Sequence, residues 1–418
     1  MIGQARPVIV SLSASRGLLE AFETARPILI LTGAILPVLI ALPNGLIFAL
    51  GANATLAINL WGSFVIYAGT RPGWREYAVT FALAAILRSA YTASGSSIGP
   101  YFGAAWISWG SFLGLASLIM LGLRAARERD TAHGNAAQHF WAACIFLHGW
   151  ILLVYALHST PATLPETLDR FLYAFDASLG FAPSFLCGRI LADHPLLWKC
   201  TIVQYDALML AIAIVFAWQR KRSAPGAPRI LPVFVTMLLL GFGIYHLCPA
   251  AGPGYAFPEQ FPRIAPEKFD IPLEPLPLPT AARNAMPSLH MAAALLVWWH
   301  SRGSGWRRLA AALFLLATAF STMALGEHYL VDLVVAFPFI LAVQAAWSSA
   351  VPLRARVRYV PLVAGASMTL VWLGLVHYEV RAMLVLPALP WLLIADTILA
   401  TLLLERRLAR ALPDVSCP

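Results

Sequence analysis

Residues 326–346 read Gly-Glu-His-Tyr-Leu-Val-Asp-Leu-Val-Val-Ala-Phe-Pro-Phe-Ile-Leu-Ala-Val-Gln-Ala-Ala, and after Asp332 no charged residue occurs until Arg354. A helix needs roughly 20 apolar residues to cross the hydrocarbon of a bilayer. The stretch therefore predicts a transmembrane helix over 329–350, with one histidine and one aspartate at its entrance. A spacing of four puts His328 and Asp332 on one helix face, close enough for the carboxylate to hold the imidazole. Such a pair makes a nucleophile or a base, because the acid fixes the tautomer and stabilises positive charge on the ring. Read alone, it is equally an ion pair that fastens helices, although an ionisable pair near a membrane is a functional hypothesis by default.

The rest of the chain has the same character. Of 418 residues 60% are hydrophobic and 12% charged, about half the charge of an ordinary globular domain. Apolar stretches predict twelve spans, near 27–44, 53–70, 77–95, 102–123, 138–158, 197–218, 230–249, 288–301, 309–327, 329–350, 358–377 and 383–404. The expected fold class is thus all-α, a polytopic integral membrane protein. The first 26 residues are too polar for a cleavable signal peptide, so the first apolar stretch opens the membrane domain. The five cysteines, Cys144, Cys187, Cys200, Cys248 and Cys417, form no CxxC pair, and neither a metal site nor a disulfide framework is indicated. Cys187 and Cys248 fall on one side and are placed to pair.

A net charge of +9 could suggest a nucleic-acid partner, but its distribution points elsewhere. With the N-terminus inside, seven basic residues lie outside (Arg170, Arg189, Lys199, Arg263, Lys268, Arg283 and Arg381), Arg88 lies within a span, and the other 21 of 29 lie inside. Basic loops face the cytoplasm, so both termini are predicted to be cytoplasmic and no nucleic-acid partner is expected. Two outer loops are long. Residues 159–196 carry the mixed pattern of a helix lying at an interface. Residues 250–286 are proline-rich, with ten prolines from Pro249 to Pro287, which predicts an extended, semi-rigid segment.

The second histidine of interest ends Ala285-Met286-Pro287-Ser288-Leu289-His290, just before an apolar run. Ser288 is a good N-cap, and a helix N-terminus with free N–H groups suits a phosphate. The topology puts His290 and His328 at the outer ends of consecutive antiparallel spans. The other eight histidines, among them His148, His194, His246 and His300, carry the structural reading of a polar ring hydrogen-bonded in or beside a span.

Pro287-Ser288-Leu289-His290 followed by His328-Tyr329-Leu330-Val331-Asp332 resembles the second and third signature motifs of the type 2 phosphatidic acid phosphatase superfamily. Within it the HYxxD form, the AMPSLH wording and the proline-rich outer loop are most similar to the branch of the inositol phosphorylceramide synthases. The resemblance covers roughly residues 160–350. It implies a six-helix phosphatase-type catalytic core and a division into N-terminal helices of unassigned role (1–135), a catalytic membrane domain (136–350) and a C-terminal helix pair (351–418). It implies His328 as the nucleophile, Asp332 as its orienting carboxylate, and His290 as the acid that protonates the leaving alkoxide and then activates the acceptor. It implies no metal and no cofactor.

Two departures bear on the chemistry. Where the phosphatases carry Ser-Arg, this chain has Ser321-Thr322, and seven residues after Lys268 comes Pro275 rather than the arginine of the first motif. The first-motif region instead looks like that of the synthases over Cys248–Tyr255. Arg283 is the expected replacement phosphate ligand, with Ser288, Asn284, Tyr255 and Lys268 as further substrate-binding candidates. The expected activity is transfer of a phospho-head group between membrane lipids through a phosphohistidine, on the extracytoplasmic face of a bacterial inner membrane. Hydrolysis of lipid phosphates by the same machinery is the alternative. A transporter, with Arg88 and Asp206 as its intramembrane charges, is the rival from another class, but no internal repeat supports it. Donor, acceptor and oligomeric state stay open.

Overall fold

The computed structural model describes residues 53–96, 105–127, 135–219, 228–302 and 305–412. Apart from one two-residue antiparallel ladder, the elements are helices. Eleven of the twelve predicted apolar stretches are helical, and the first, 27–44, lies outside the described residues. By length and composition, six described helices can cross a membrane, or eight if two bent helix pairs each count as one span. The chain is an all-α membrane protein; the count of twelve stands as an expectation.

The chain divides into two compact units, residues 1–151 and 152–418. The first contains α1 (Ala54–Gly69), α2 (Trp74–Ala93), α3 (Ala105–Arg127) and the start of α4 (Asn135–Thr163). Gly110-Ser-Phe-Leu-Gly114 is a small-xxx-small pattern, the kind that lets helices approach closely where lipid offers no hydrophobic drive. A Cβ on Gly110 would lie 2.2 Å from the Ala57 carbonyl, and one on Gly114 2.4 Å from that of Leu60. Glycine is therefore what lets α1 and α3 pack backbone to backbone.

The second unit holds, in order, β1 (Glu166–Thr167), α5 (Asp169–Ser178), α6 (Pro183–Ala192), α7 (Pro195–Asp206), α8 (Leu208–Gln219) and α9 (Ile230–Leu247). After the four-residue turn α10 (Pro253–Ala256) and β2 (Leu276–Pro277) come α11 (Leu289–His300), α12 (Gly305–Ala324), α13 (Leu330–Trp347), α14 (Arg356–Tyr378), α15 (Val380–Val385) and α16 (Ala388–Ala411). The sequence placed boundaries at 135 and 350. The observed division falls inside α4, and α14 to α16 sit in the second unit. Trp372, Leu373, Val376, Val380 and Met383 share one buried cluster with Tyr329, Val331 and Val334. The centre is α13, the most buried of the candidate spans.

Residues 159–196 differ from the reading of a helix lying at an interface. They contain α5 and α6, bent by 91° to each other, and α5 is buried along nearly its whole length. Its mixed pattern arises because Asp169 and Asp176, seven residues apart and so on one face, both point into the core, where backbone donors meet them (below). The proline-rich loop is irregular, as expected, and is fastened to the start of this segment. Glu166 pairs with Pro277 and Thr167 with Leu276, Arg170 bridges to Glu274 at 2.7 Å, and the Tyr173 hydroxyl donates to the Pro266 carbonyl at 2.7 Å.

Candidate active site

Two helix starts meet at the site. Helix α11 begins with Ser288, whose hydroxyl accepts from the Met291 N–H at 3.2 Å, the cap its sequence called for. Helix α13 begins after Tyr329, and the Asp332 side chain accepts from the Tyr329 N–H at 2.8 Å. The Ser288 N–H donates to the Asp332 carbonyl at 3.1 Å. The two motifs, about forty residues apart in the chain, are thus hydrogen-bonded to each other. This brings the imidazoles of His290 and His328 to 6.1 Å between ring centres. His328 Nδ1 lies 3.5 Å from Asp332 Oδ2, and both side chains are almost fully buried, at 2% and 0% exposed.

The loop before His328 is built by glycines. Gly326 takes φ 79°, a left-handed conformation that side chains resist, and turns the chain out of α12. Gly252, at φ 102°, packs so closely that a Cβ would meet the Glu327 carbonyl at 2.4 Å, and the Gly254 N–H donates to the Gly326 carbonyl at 2.9 Å. The Cys248–Tyr255 segment thereby lies directly on the catalytic loop, and the Tyr255 hydroxyl reaches Glu327 at 3.0 Å. Ser184 of α6 donates to the His328 carbonyl at 2.9 Å.

Three residues that sequence reasoning did not single out complete the surroundings. Tyr205, the penultimate residue of α7, stacks on His290 with ring centres 4.0 Å apart and planes inclined by 24°. Asp176 accepts from the Leu330 and Val331 N–H groups at 2.8 and 3.2 Å, capping α13 from another helix. Asp169 accepts from the Ala251 and Gly252 N–H groups at 3.0 and 2.8 Å and from the Tyr329 hydroxyl at 3.0 Å. The signal that could have found Asp169 and Asp176 is charge within an otherwise buried segment, since a carboxylate there must find donors.

The predicted substrate ligands fare unevenly. Tyr255 adjoins the catalytic loop. Ser288 serves as the helix cap, Asn284 is half-buried two residues before Met286, and Lys268 sits in the proline-rich loop with its ammonium 5.2 Å from the Phe269 ring centre. Arg283 has a different use from the one expected. It is fully buried, and its guanidinium donates to the carbonyls of Leu164, Pro165, Leu278 and Ala281. A proline-rich segment has carbonyls to spare because its prolines supply no N–H groups, and a planar five-donor group satisfies several at once. In this arrangement Arg283 offers nothing to a phosphate. Ser321 and Thr322, at the positions of the missing Ser-Arg, bond back onto the Thr318 carbonyl of their own helix.

Burial lowers the pKa of His328, in the loop before α13, to about 4, against an opposing effect of the Glu327 charge. The ring is thus a neutral imidazole at physiological pH, the form that can attack. Burial also raises the Glu327 carboxyl, and the charge of Glu327 is the main cause that raises the neighbouring Tyr255 phenol. Four of the remaining histidines are hydrogen-bonded as the structural reading expects, and His133 lies outside the described residues. His148, His194 and His246 each bond a carbonyl one turn back, and His300 is held between Gln219 and Gln344. Cys187 and Cys248 are both free thiols; the pairing left open by the sequence is not formed.

No curated protein and no solved structure matches the chain. Residues 170–346, somewhat less than half of it, match the family model described as PAP2 superfamily. Proteins of that superfamily are generally phosphatases or phosphotransferases acting on lipid phosphates. The matched residues run from the second residue of α5 almost to the end of α13 and contain both histidines, Asp332 and Asp176, so the likeness to that superfamily covers the site.

Proposed function

We propose that the protein transfers a phospho-head group between membrane lipids by way of a phosphohistidine on His328. The observation that carries this reading is the juxtaposition of two imidazoles 6.1 Å apart, one of them 3.5 Å from a buried aspartate. The neutral Nε2 of His328 attacks phosphorus in line, forming the N–P bond as the bond to the leaving alkoxide breaks. Asp332 faces Nδ1 and stabilises the positive charge that the ring gains. His290 gives its proton to the departing oxygen, then takes one from the incoming hydroxyl as that oxygen displaces the histidine. Substrate enters from the extracytoplasmic side, on the arginine distribution, and the route needs no metal.

Transfer is favoured over hydrolysis by the character of the site. Among the described residues no lysine or arginine side chain hydrogen-bonds to His290, His328, Glu327 or Asp332. With Thr322 in place of the phosphatase arginine and Glu327 beside the nucleophile, the site is poorly equipped for a doubly charged phosphomonoester. It is better suited to neutral hydroxyl acceptors, which a carboxylate and two tyrosines can hold. The test is the fate of a labelled donor phospholipid given to purified protein in 18O-water, with and without a lipid or polyol acceptor. Transfer yields acceptor-dependent phosphodiester product free of 18O. Acceptor-independent release of 18O-labelled phosphate establishes the phosphatase reading instead.

The pH dependence follows from the lowered His328 pKa. The neutral, attacking form of His328 dominates above about 4, so the limb on which turnover falls through its protonation lies near that value rather than near 6.5, the ordinary value for histidine. Glu327→Gln removes the charge that favours protonation and shifts this acid limb further down. A limb that stays near 6.5 in both forms would contradict the assignment.

A further inference from the structure

We propose that the second unit carries a binding site for a phosphate-bearing anion at the end opposite its catalytic histidines. A cavity of about 690 Å³ opens between the C-terminal ends of α11 and α16 and is lined by Trp299, Arg302, Arg308, Glu405, Arg406 and Arg410, among others. His290 is the second residue of α11 and Trp299 the last but one. At 1.5 Å per residue the cavity lies roughly 14 Å along that helix from the catalytic ring. The arginine distribution assigns this end to the cytoplasm.

Basic residues at the inner ends of spans are ordinary, and most are solvated. Two features set this group apart. Four arginines line one recess against a single acid, Glu405, which is buried and engaged by Arg302. Arg308 also faces the Glu405 charge, and among the described residues Arg406 and Arg410 form no ion pair. The recess also contains a buried donor with nothing to donate to: Trp299 is 4% exposed and its indole N–H has no hydrogen-bond partner. Buried indole N–H groups usually find an acceptor, and an unmet one on a residue that lines an arginine-rich recess calls for an acceptor oxygen. Phosphate suits the forks of arginine in two-pronged hydrogen bonds. The ligand is a phosphate mono- or diester, brought either by a lipid head group of the adjacent leaflet or by a soluble phosphate compound.

The experiment uses the full chain purified in detergent. Phosphatidylglycerol and phosphatidylcholine are titrated in turn and bound lipid is counted by native mass spectrometry, while inorganic phosphate is titrated by calorimetry. The variants are the triple R308A/R406A/R410A, Trp299→Phe, and Arg407→Ala as a control on the same helix that does not line the cavity. The triple variant is expected to lose at least tenfold in affinity, and Trp299→Phe several-fold with its packing kept. Arg407→Ala should bind as the parent does. Loss confined to phosphatidylglycerol identifies a leaflet lipid, and loss of phosphate binding a soluble source. Equal binding by parent, triple variant and Trp299→Phe, or no binding of either anion by the parent, overturns the proposal.

Discussion

His328→Ala is expected to abolish turnover, by roughly ten-thousand-fold or more, as removal of a nucleophile from a concerted catalytic group does elsewhere. The expectation rests on the placement of the ring: buried, next to Asp332 and facing His290. Parent protein quenched in alkali during turnover of a phosphorus-labelled donor should retain label in a bond that is stable to base and labile to acid. His328→Ala should retain none, whereas His290→Ala, which still has the nucleophile, should accumulate label or lose it slowly. Asp332→Asn separates the two roles of that residue. Its amide oxygen can still cap the Tyr329 N–H, now at 2.8 Å, but the negative charge facing Nδ1 is gone. It should therefore fold like the parent and turn over roughly a thousandfold or more slower, because the tautomer and the ring charge are no longer controlled. Full activity in His328→Ala, with unchanged melting, would remove the phosphohistidine route altogether.

How much of this was legible in the sequence depends on the kind of interaction. Spans could be read because a helix packed in lipid or in the protein core leaves a run of apolar residues, and α13, at the centre of its unit, shows it most plainly. The histidine pair could be read because each ring sits at a helix start with a local partner, Ser288 as a cap in one case and Asp332 four residues on in the other. Interactions between distant segments left weaker traces. Arg283 looked like a phosphate ligand because it is basic, outside and near His290. It is instead a staple for carbonyls that the prolines around it cannot pair, and that competition is invisible until the loop is folded against residues 164 and 165. Tyr205 carried no signal, since stacking on His290 depends on where α7 stops. The 47° break between α7 and α8 sets that, and over 197–218 only the charge of Asp206, the last residue of α7, marks its place. The mixed pattern of α5 pointed to an interface because a buried carboxylate and a solvated one look alike in sequence.

That last misreading bears on stability, and Asp176→Ala is expected to be the most damaging substitution outside the catalytic residues. The Asp176 carboxylate is 1% exposed and accepts both the Leu330 and Val331 N–H groups, 154 and 155 residues away in the chain. The first N–H groups of a helix have no partner within it, and of these two contacts the one from Val331 is buried and the one from Leu330 partly so. Alanine leaves both donors unmet, each costing about 1–3 kcal/mol. A total of about 2–6 kcal/mol is comparable with the whole stability of many domains. The expected result is a large fall in the yield of folded protein and in its melting temperature in detergent, read by fluorescence-detected size exclusion. Asp176→Asn keeps one acceptor oxygen and should lose about half as much, with turnover reduced in the molecules that fold, because His328 and Asp332 hang on the helix start that Asp176 holds. If Asp176→Ala melts with the parent protein, the cap contributes nothing and the start of α13 is held by its own Asp332 alone.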